Sequence, residues 1–297
     1  MNVLTKIKRG GENLPPRVLL AGPEGIGKST YGASAPSPLF VSQEDGLTGL
    51  DHVARIHPSS FAEILMLIDQ LKSGSEFKTL VIDTMDWLER AIHQFICARD
   101  GKQNVEDYGY GKGYKIAEQE LVTLLSKLDA LRHAQKIGIV LLAHVHIRTF
   151  IDPTGNSWDR YEMKGHKGFT GILREWPDAC LFATYEVFKH KERGSNIEKV
   201  IGGDRIIRTN WSPGWDAKNR LNLPEVLPMP EENGYGVLMA AVHDNKPETL
   251  RKEFLALLST SSLSEEDRAK WVTVDPETVP VARIRNGIGK LKTLQPK

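Results

Sequence analysis

The spacing of apolar residues alternates between two periods up to about residue 145. Residues 18–21 form a short unbroken apolar run after Pro15 and Pro16, which predicts a buried strand. Residues 28–35 predict a short helix that Pro36 and Pro38 stop. Residues 39–42 predict a second strand. Residues 61–71 carry apolar positions at helical spacing, with Ser59 or Ser60 as N-cap. A third apolar strand at 79–82 ends on Asp83. Helices are predicted at 87–98 and 115–133, with the polar, glycine-rich stretch 99–113 between them. Residues 137–143 are the most strongly apolar strand of the chain. Strands alternating with helices predict βαβ units and a mostly parallel α/β sheet with right-handed crossovers.

Beyond residue 143 the pattern changes. Residues 144–168 contain Pro153, Gly155, Gly165 and Gly168 and predict a long loop, which in a compact domain is usually functional. Residues 179–187, 199–201 and 205–209 predict late, partly antiparallel strands. Pro213, Pro224, Pro228 and Pro230 mark a winding exit. A short helix at 248–258 and a Ser-rich link at 259–264 lead to a basic end at 281–297. The division expected is an extension at 1–16, a core at 17–245 and a small helical tail at 246–297.

Composition narrows the function classes. The 297 residues are 40% hydrophobic and 26% charged, ordinary values for a soluble globular protein. Thirty-nine Lys and Arg against 38 Asp and Glu give a net charge of +1, so any basic surface must be local. No run of about 18 apolar residues occurs, and the first twenty lack a signal-peptide core, which predicts no membrane partner. Cys97 and Cys180 are too few for a disulfide framework or a sulfur-ligated zinc, which fits a reducing, cytoplasmic setting.

The chemistry begins directly after the first strand. Gly22, Pro23, Glu24, Gly25, Ile26, Gly27, Lys28 and Ser29 match the phosphate-loop pattern G-x-x-x-x-G-K-[ST], with a strand before and a helix after. Glycines let backbone amides close on phosphate oxygens, and the following helix start, with Thr30, adds its positive end. Lys28 is placed to reach the β- and γ-phosphates of ATP, and the Ser29 hydroxyl to bind Mg²⁺. Asp83, at the end of an apolar strand, is the expected second metal residue, and it also suits a helix cap.

With those motifs in place, the chain resembles the RecA-type P-loop ATPase core. It is most like the short phage single-strand annealing and recombination ATPases, the Sak group of RecA-like proteins. The order of elements agrees from about residue 17 to 224. The resemblance implies a mostly parallel central sheet flanked by helices, with late antiparallel strands. It also implies ATP hydrolysis with Mg²⁺. Glu44, after the second strand, takes the place of the water-activating glutamate, with Asp45 next door as a competitor. His144, after the strand at 137–143, takes the place of the γ-phosphate sensor, where RecA itself has an amide. Lys218 and Arg220 stand where such cores carry a basic pair that reaches a neighbouring subunit's nucleotide.

Two segments correspond to DNA-binding loops. The first holds Arg99, Lys102, Lys112 and Tyr114, the second Arg148, Arg160, Lys164 and Lys167. Basic residues among aromatics suit single-stranded DNA, although acids dilute both segments. The partners implied are single-stranded DNA, further copies of the chain in a ring or filament, and a single-strand-binding protein. Two other readings stay open: a nucleotide-switched loader or regulator of a replication partner, and a small-molecule kinase. The kinase is disfavoured because no arginine-rich lid follows the core helices.

Overall fold

The computed structural model describes residues 12–43, 49–191, 198–264 and 281–293. In chain order the strands are β1 (Arg17–Gly22), β2 (Pro38–Ser42), β3 (Ala54–Ile56), β4 (Thr79–Asp83) and β5 (Gly138–Ile151). They are followed by β6 (Ser157–Met163), β7 (Ala179–Lys191), β8 (Glu198–Arg208), β9 (Lys218–Asn219) and β10 (Val226–Pro228). The helices are α1 (Lys28–Ala33), α2 (Phe61–Lys72), α3 (Met85–Arg99), α4 (Lys112–Gln135), α5 (Lys167–Glu175), α6 (Gly234–Asp244), α7 (Pro247–Thr260) and α8 (Val281–Lys292).

The sheet runs β10-β8-β7-β1-β5-β4-β2-β3, with β6 paired to β5 and β9 to β7. From β7 to β3 the pairs are parallel, while β8 and β10 are antiparallel to their neighbours. The expected layout is therefore present: a mostly parallel central sheet, flanking helices and late antiparallel strands. β5 lies between β1 and β4, so the strand that ends on Asp83 is one place removed from the phosphate-loop strand.

Both faces of the central strands are covered, which is why they read as continuous apolar runs. Leu19, Ala21, Leu80, Ile82, Ile139 and Leu141 join α2, α3, α4 and α5 in one large core. On the other face α1 comes so close that a Cβ on its Gly32 would meet Val81 and Phe40 at 3.0 and 3.1 Å. The N-terminal end of β1 is fastened by charge. Arg17 donates to Asp178 at 2.7 Å and to Asp129 at 3.0 Å, and Arg132 reaches Asp178 at 3.3 Å.

Several parts depart from the sequence expectation, among them β3 and α6, which it did not assign. The predicted loop at 144–168 is instead a two-stranded ribbon followed by a helix. β5 continues to Ile151 and β6 returns against it, pairing Val145 with Met163 and Ile151 with Ser157. Pro153 and Gly155 are its turn, closed by Asp152, which accepts from the backbone of Thr154 and Asn156 at 2.9 Å each. The ribbon is solvated on much of both faces, and Phe150 interrupts the alternation of Val145, Ile147 and Ile151, so the strand period is weakly marked. The helix α5 falls mostly in 169–178, a stretch to which the sequence reading assigned no element, although Phe169, Leu173 and Trp176 recur there at helical spacing behind the His166 cap. The polar stretch 99–113 contains a 3-10 turn at Val105–Tyr108, capped by Asn104.

Contacts divide the chain into two compact units. One comprises Met1–Arg220 with Glu225–Gly236, the other Leu221–Pro224 with Val237–Lys297. In the second, Leu250, Phe254 and Leu258 of α7 pack with Ile284, Ile288 and Leu291 of α8. Among the described residues no helix is long and apolar enough to cross a membrane.

Candidate nucleotide site and ribbon

β1 brings the chain to Gly22 at the carboxyl edge of the sheet. A Cβ there would stand 2.9 Å from the Ala183 carbonyl oxygen on β7, so a glycine is what lets the two backbones lie this close. Gly25 and Gly27 turn the loop through the left-handed region, with φ of 75° and 98°. Ile26 is fully buried and pins the loop to the sheet. Lys28 follows, only 6% exposed. Its ammonium donates to the loop's own carbonyls, Gly22 at 3.0 Å and Pro23 at 2.8 Å. Burial pushes it down to about 8, although Asp83 and Asp86 pull the other way. Ser29 Oγ donates to Asp83 Oδ2 at 2.6 Å, which closes the gap left by the intervening β5. Gly25, Gly27, Lys28, Ser29, Thr30, Ser42, Asp83 and His144 line a cavity of about 290 Å³.

His144 stands where β5 passes this cavity. Its Nδ1 meets both carboxylate oxygens of Asp86, at 3.2 and 3.3 Å. Burial alone would raise the Asp86 carboxyl, but bonds to His144 and Thr84 outweigh it and hold the group well below the usual carboxylate range. The sequence reading missed Asp86. No spacing along the chain marks it, because its partner His144 comes from the neighbouring strand β5. Trp87 donates to the side chain of Gln43, and His57 Nδ1 lies 2.8 Å from the Ser42 carbonyl oxygen, so the end of β2 is held in place. Glu44 and Asp45 lie outside the described residues.

The basic residues expected to meet DNA have diverse placements. Arg160 is 8% exposed, pairs with Asp216 at 2.5 Å and lies over the Phe150 ring. A buried, paired guanidinium cannot serve as a surface phosphate contact, so that expectation is corrected. Lys164 is at the phosphate loop, its Nζ 2.6 Å from Glu24 Oε1. Arg99 is engaged by Asp100 at 2.8 Å and Glu120 at 2.6 Å. Tyr114 stacks on His166 with centroids 4.2 Å apart and donates to Glu106. Lys102, Lys112, Arg148 and Lys167 are exposed. A second residue missed by sequence is Arg205 of β8. Its Nη1 is 2.7 Å from where a Cβ on Gly27 would stand, against the back of the phosphate loop.

Lys218 and Arg220 are at the opposite end of the sheet. β9 is two residues long and pairs with Ala179 and Cys180, at the start of β7. Arg220 lies just past its end, and its backbone N–H donates to the Asp178 carbonyl at 3.0 Å. Lys218 Nζ donates to the Glu175 carbonyl at 2.5 Å, the position of a cation at a helix C-terminus.

The chemistry of the loop suits a nucleoside triphosphate with Mg²⁺. A buried ammonium resting on neutral carbonyls costs free energy that phosphate oxygens would offset. Ser29 and Asp83 present two hard oxygen donors side by side, and Mg²⁺ commonly takes one or two protein oxygens and completes its shell from phosphate and water. Comparison with curated proteins finds no match. Among solved structures the chain is similar to one described as the crystal structure of the RadB recombinase, at 16% identity over 74% of this chain and 90% of that one, with a TM-score of 0.41. Residues 14–221 match the AAA domain family designated AAA_24. With that match spanning well over half of its length, the chain belongs to this AAA domain family and is a P-loop ATPase.

Proposed function

We propose that the chain hydrolyses ATP with Mg²⁺ to drive annealing or pairing of single-stranded DNA, as its resemblance to the short phage recombination ATPases implies. The carrying observation is the course of β5. One strand runs from inside the sheet, past the cavity at His144, and out into the exposed ribbon that ends at β6. A change at the phosphates therefore has a continuous hydrogen-bonded path to a surface bearing Arg148, with Lys167 just beyond β6.

Each residue has a distinct part in this reading. Lys28 and the loop amides hold the β- and γ-phosphate oxygens. Ser29 and Asp83 would hold Mg²⁺, which supplies charge neutralisation where the phosphoryl group leaves. Glu44 polarises the attacking water, with Asp45 as the competing acid. His144 offers Nε2 to a phosphate oxygen while Asp86 accepts from Nδ1–H. The Asp86 bond thereby fixes how the ring faces the cavity. Exposed Arg148, Lys167, Lys102 and Lys112 contact DNA phosphates, and further copies of the chain assemble along the strand.

The test is the ATPase rate with and without a single-stranded oligonucleotide, together with oligonucleotide binding across a salt series. Stimulated turnover and affinity that falls steeply with salt support the proposal. One observation favours the second reading, a nucleotide-switched regulator of a protein partner. Ile147 and Ile151, on the same face of the ribbon, are 62% and 68% exposed. Turnover indifferent to DNA and no salt-dependent binding would favour it.

A further inference from the structure

The phosphate loop carries an acid in the path of an anionic ligand. Glu24 lies between Gly22 and Gly27, and its side chain is 71% exposed. A carboxylate there repels a polyphosphate unless something neutralises it. The neutralising group comes from the root of the ribbon, 140 residues away: Lys164 Nζ reaches Glu24 Oε1 at 2.6 Å.

The placement of Lys164 is fixed on both sides. It follows β6 directly, and its backbone N–H donates to the His144 carbonyl at 2.9 Å. Two residues later His166 N–H donates to both oxygens of buried Glu89, at 3.0 and 3.1 Å. The Lys164 side chain thus leaves from a held point beside the residue that lines the phosphate cavity. Electrostatics tie the same groups together. The bond and charge of Lys164 lower the Glu24 carboxyl first, with His144 and Lys28 adding to the effect. Lys28 in turn feels both Glu24 and Lys164.

The Glu24–Lys164 pair is solvated, and such pairs are weak. A terminal phosphate offers an ammonium more charge and more acceptor oxygens than one exposed carboxylate. We infer that Lys164 is a nucleotide-sensing cation that rests on Glu24 and transfers to the terminal phosphate oxygens when a triphosphate enters. The inference rests on the phosphate-site reading and adds to it a residue that distinguishes triphosphate from diphosphate. It also gives the ribbon a second tie to the nucleotide, besides the run of β5 through His144.

The experiment compares four full-length chains: wild type, Lys164→Met, Glu24→Gln and the double variant. Each is titrated with a fluorescent non-hydrolysable triphosphate and with the matching diphosphate, both with Mg²⁺. Lys164→Met is expected to weaken the triphosphate about tenfold and the diphosphate by less than about threefold. The same loss should persist in the Glu24→Gln background, because the phosphate contact does not need Glu24. If the loss vanishes there, Lys164 merely neutralises Glu24 and the inference falls. Equal loss of both nucleotides overturns it too. Lys28→Ala separates the two levels. If Lys28→Ala binds both nucleotides like wild type, the phosphate-site reading itself fails. If Lys28→Ala loses binding while Lys164→Met changes nothing, only the Lys164 inference fails. Lys164→Gln, measured in parallel with a thermal melt of each chain, keeps the result independent of any folding defect.

Discussion

Replacing Asp86 by Asn keeps the shape of the side chain and removes its charge. Asp86 is largely buried, faces His144 Nδ1 with both oxygens at 3.2 and 3.3 Å, and is held well below the usual carboxylate range. A hydrogen bond to a charged group contributes ~1.5–3 kcal/mol, and the amide recovers part of it by offering a neutral oxygen. The expected cost is therefore ~1–2 kcal/mol, which for a chain of this size lowers Tm by roughly 2–8 °C. The catalytic effect should be larger. An amide can bond the ring in the wrong tautomer. Outer partners of functional histidines are worth about 10–100-fold, so kcat should fall by that factor with nucleotide affinity little changed. The sign of the pH effect follows from a lowered folded pKa. The stability that Asp86 contributes is present above the ordinary carboxylate value of about 4, and it is lost as pH falls through the lower folded value. The Tm gap between wild type and Asp86→Asn should narrow as the buffer is made more acidic than about pH 4. Steady-state ATPase assays and thermal melts at several pH values test this. Wild-type kcat together with wild-type Tm would refute the dyad.

Three further outcomes can be checked directly. Lys28→Ala should reduce turnover by at least about 100-fold, and chelating Mg²⁺ should stop the wild-type enzyme; normal hydrolysis in either case removes the phosphate-site reading. Asp178→Asn should cost ~1.5–3 kcal/mol at neutral pH, since Arg17 at 2.7 Å and Arg132 at 3.3 Å lose their shared carboxylate. Burial pushes Asp178 up but its arginine bonds prevail and lower it, so this contribution too is present above about pH 4 and disappears as acid titrates the folded carboxyl. In the ribbon, Arg148→Ala should lessen the salt slope of oligonucleotide binding by about one, whereas Arg160→Ala, which empties a buried pair with Asp216, should lower Tm without a specific change of slope.

How much of this was legible depends on how strongly each segment's own residues dictate its structure. The strands β1, β2, β4 and the first half of β5 are buried on both faces, so their apolar runs announce them. The phosphate loop is legible because its glycines meet a local backbone demand. The ribbon was read as a loop because its strand pairing leaves Ile147, Arg148 and Thr149 in solvent, where composition is unconstrained. Lys164 and Arg160 look alike in sequence: each is a cation among aromatics and acids. Only the fold separates them, sending one to Glu24 and burying the other against Asp216. Likewise Asp86 and Arg205 acquire meaning from neighbours on other strands, which spacing along the chain does not reveal.

The position of Lys218 and Arg220 constrains any catalytic part they have. The Arg220 backbone N–H donates to the Asp178 carbonyl, which places it level with the start of β1. From there to Gly22 is five residues, about 16 Å along the strand, and β9 is also two strand spacings of ~4.8 Å away from β1. No side chain spans that distance, so neither cation reaches the phosphate loop of its own chain. Either the pair is structural, as the Lys218 bond to Glu175 allows, or it serves the nucleotide of another copy. Head-to-tail contacts of the second kind generate rings or open filaments. Mixing resolves the choice. Arg220→Ala and Lys28→Ala chains, each inactive alone, should partly recover ATPase activity when combined, because some interfaces then join an intact phosphate loop to an intact Arg220. An Arg220→Ala chain that hydrolyses ATP normally would assign the pair to structure. A dead mixture of chains that still co-assemble would refute the shared site.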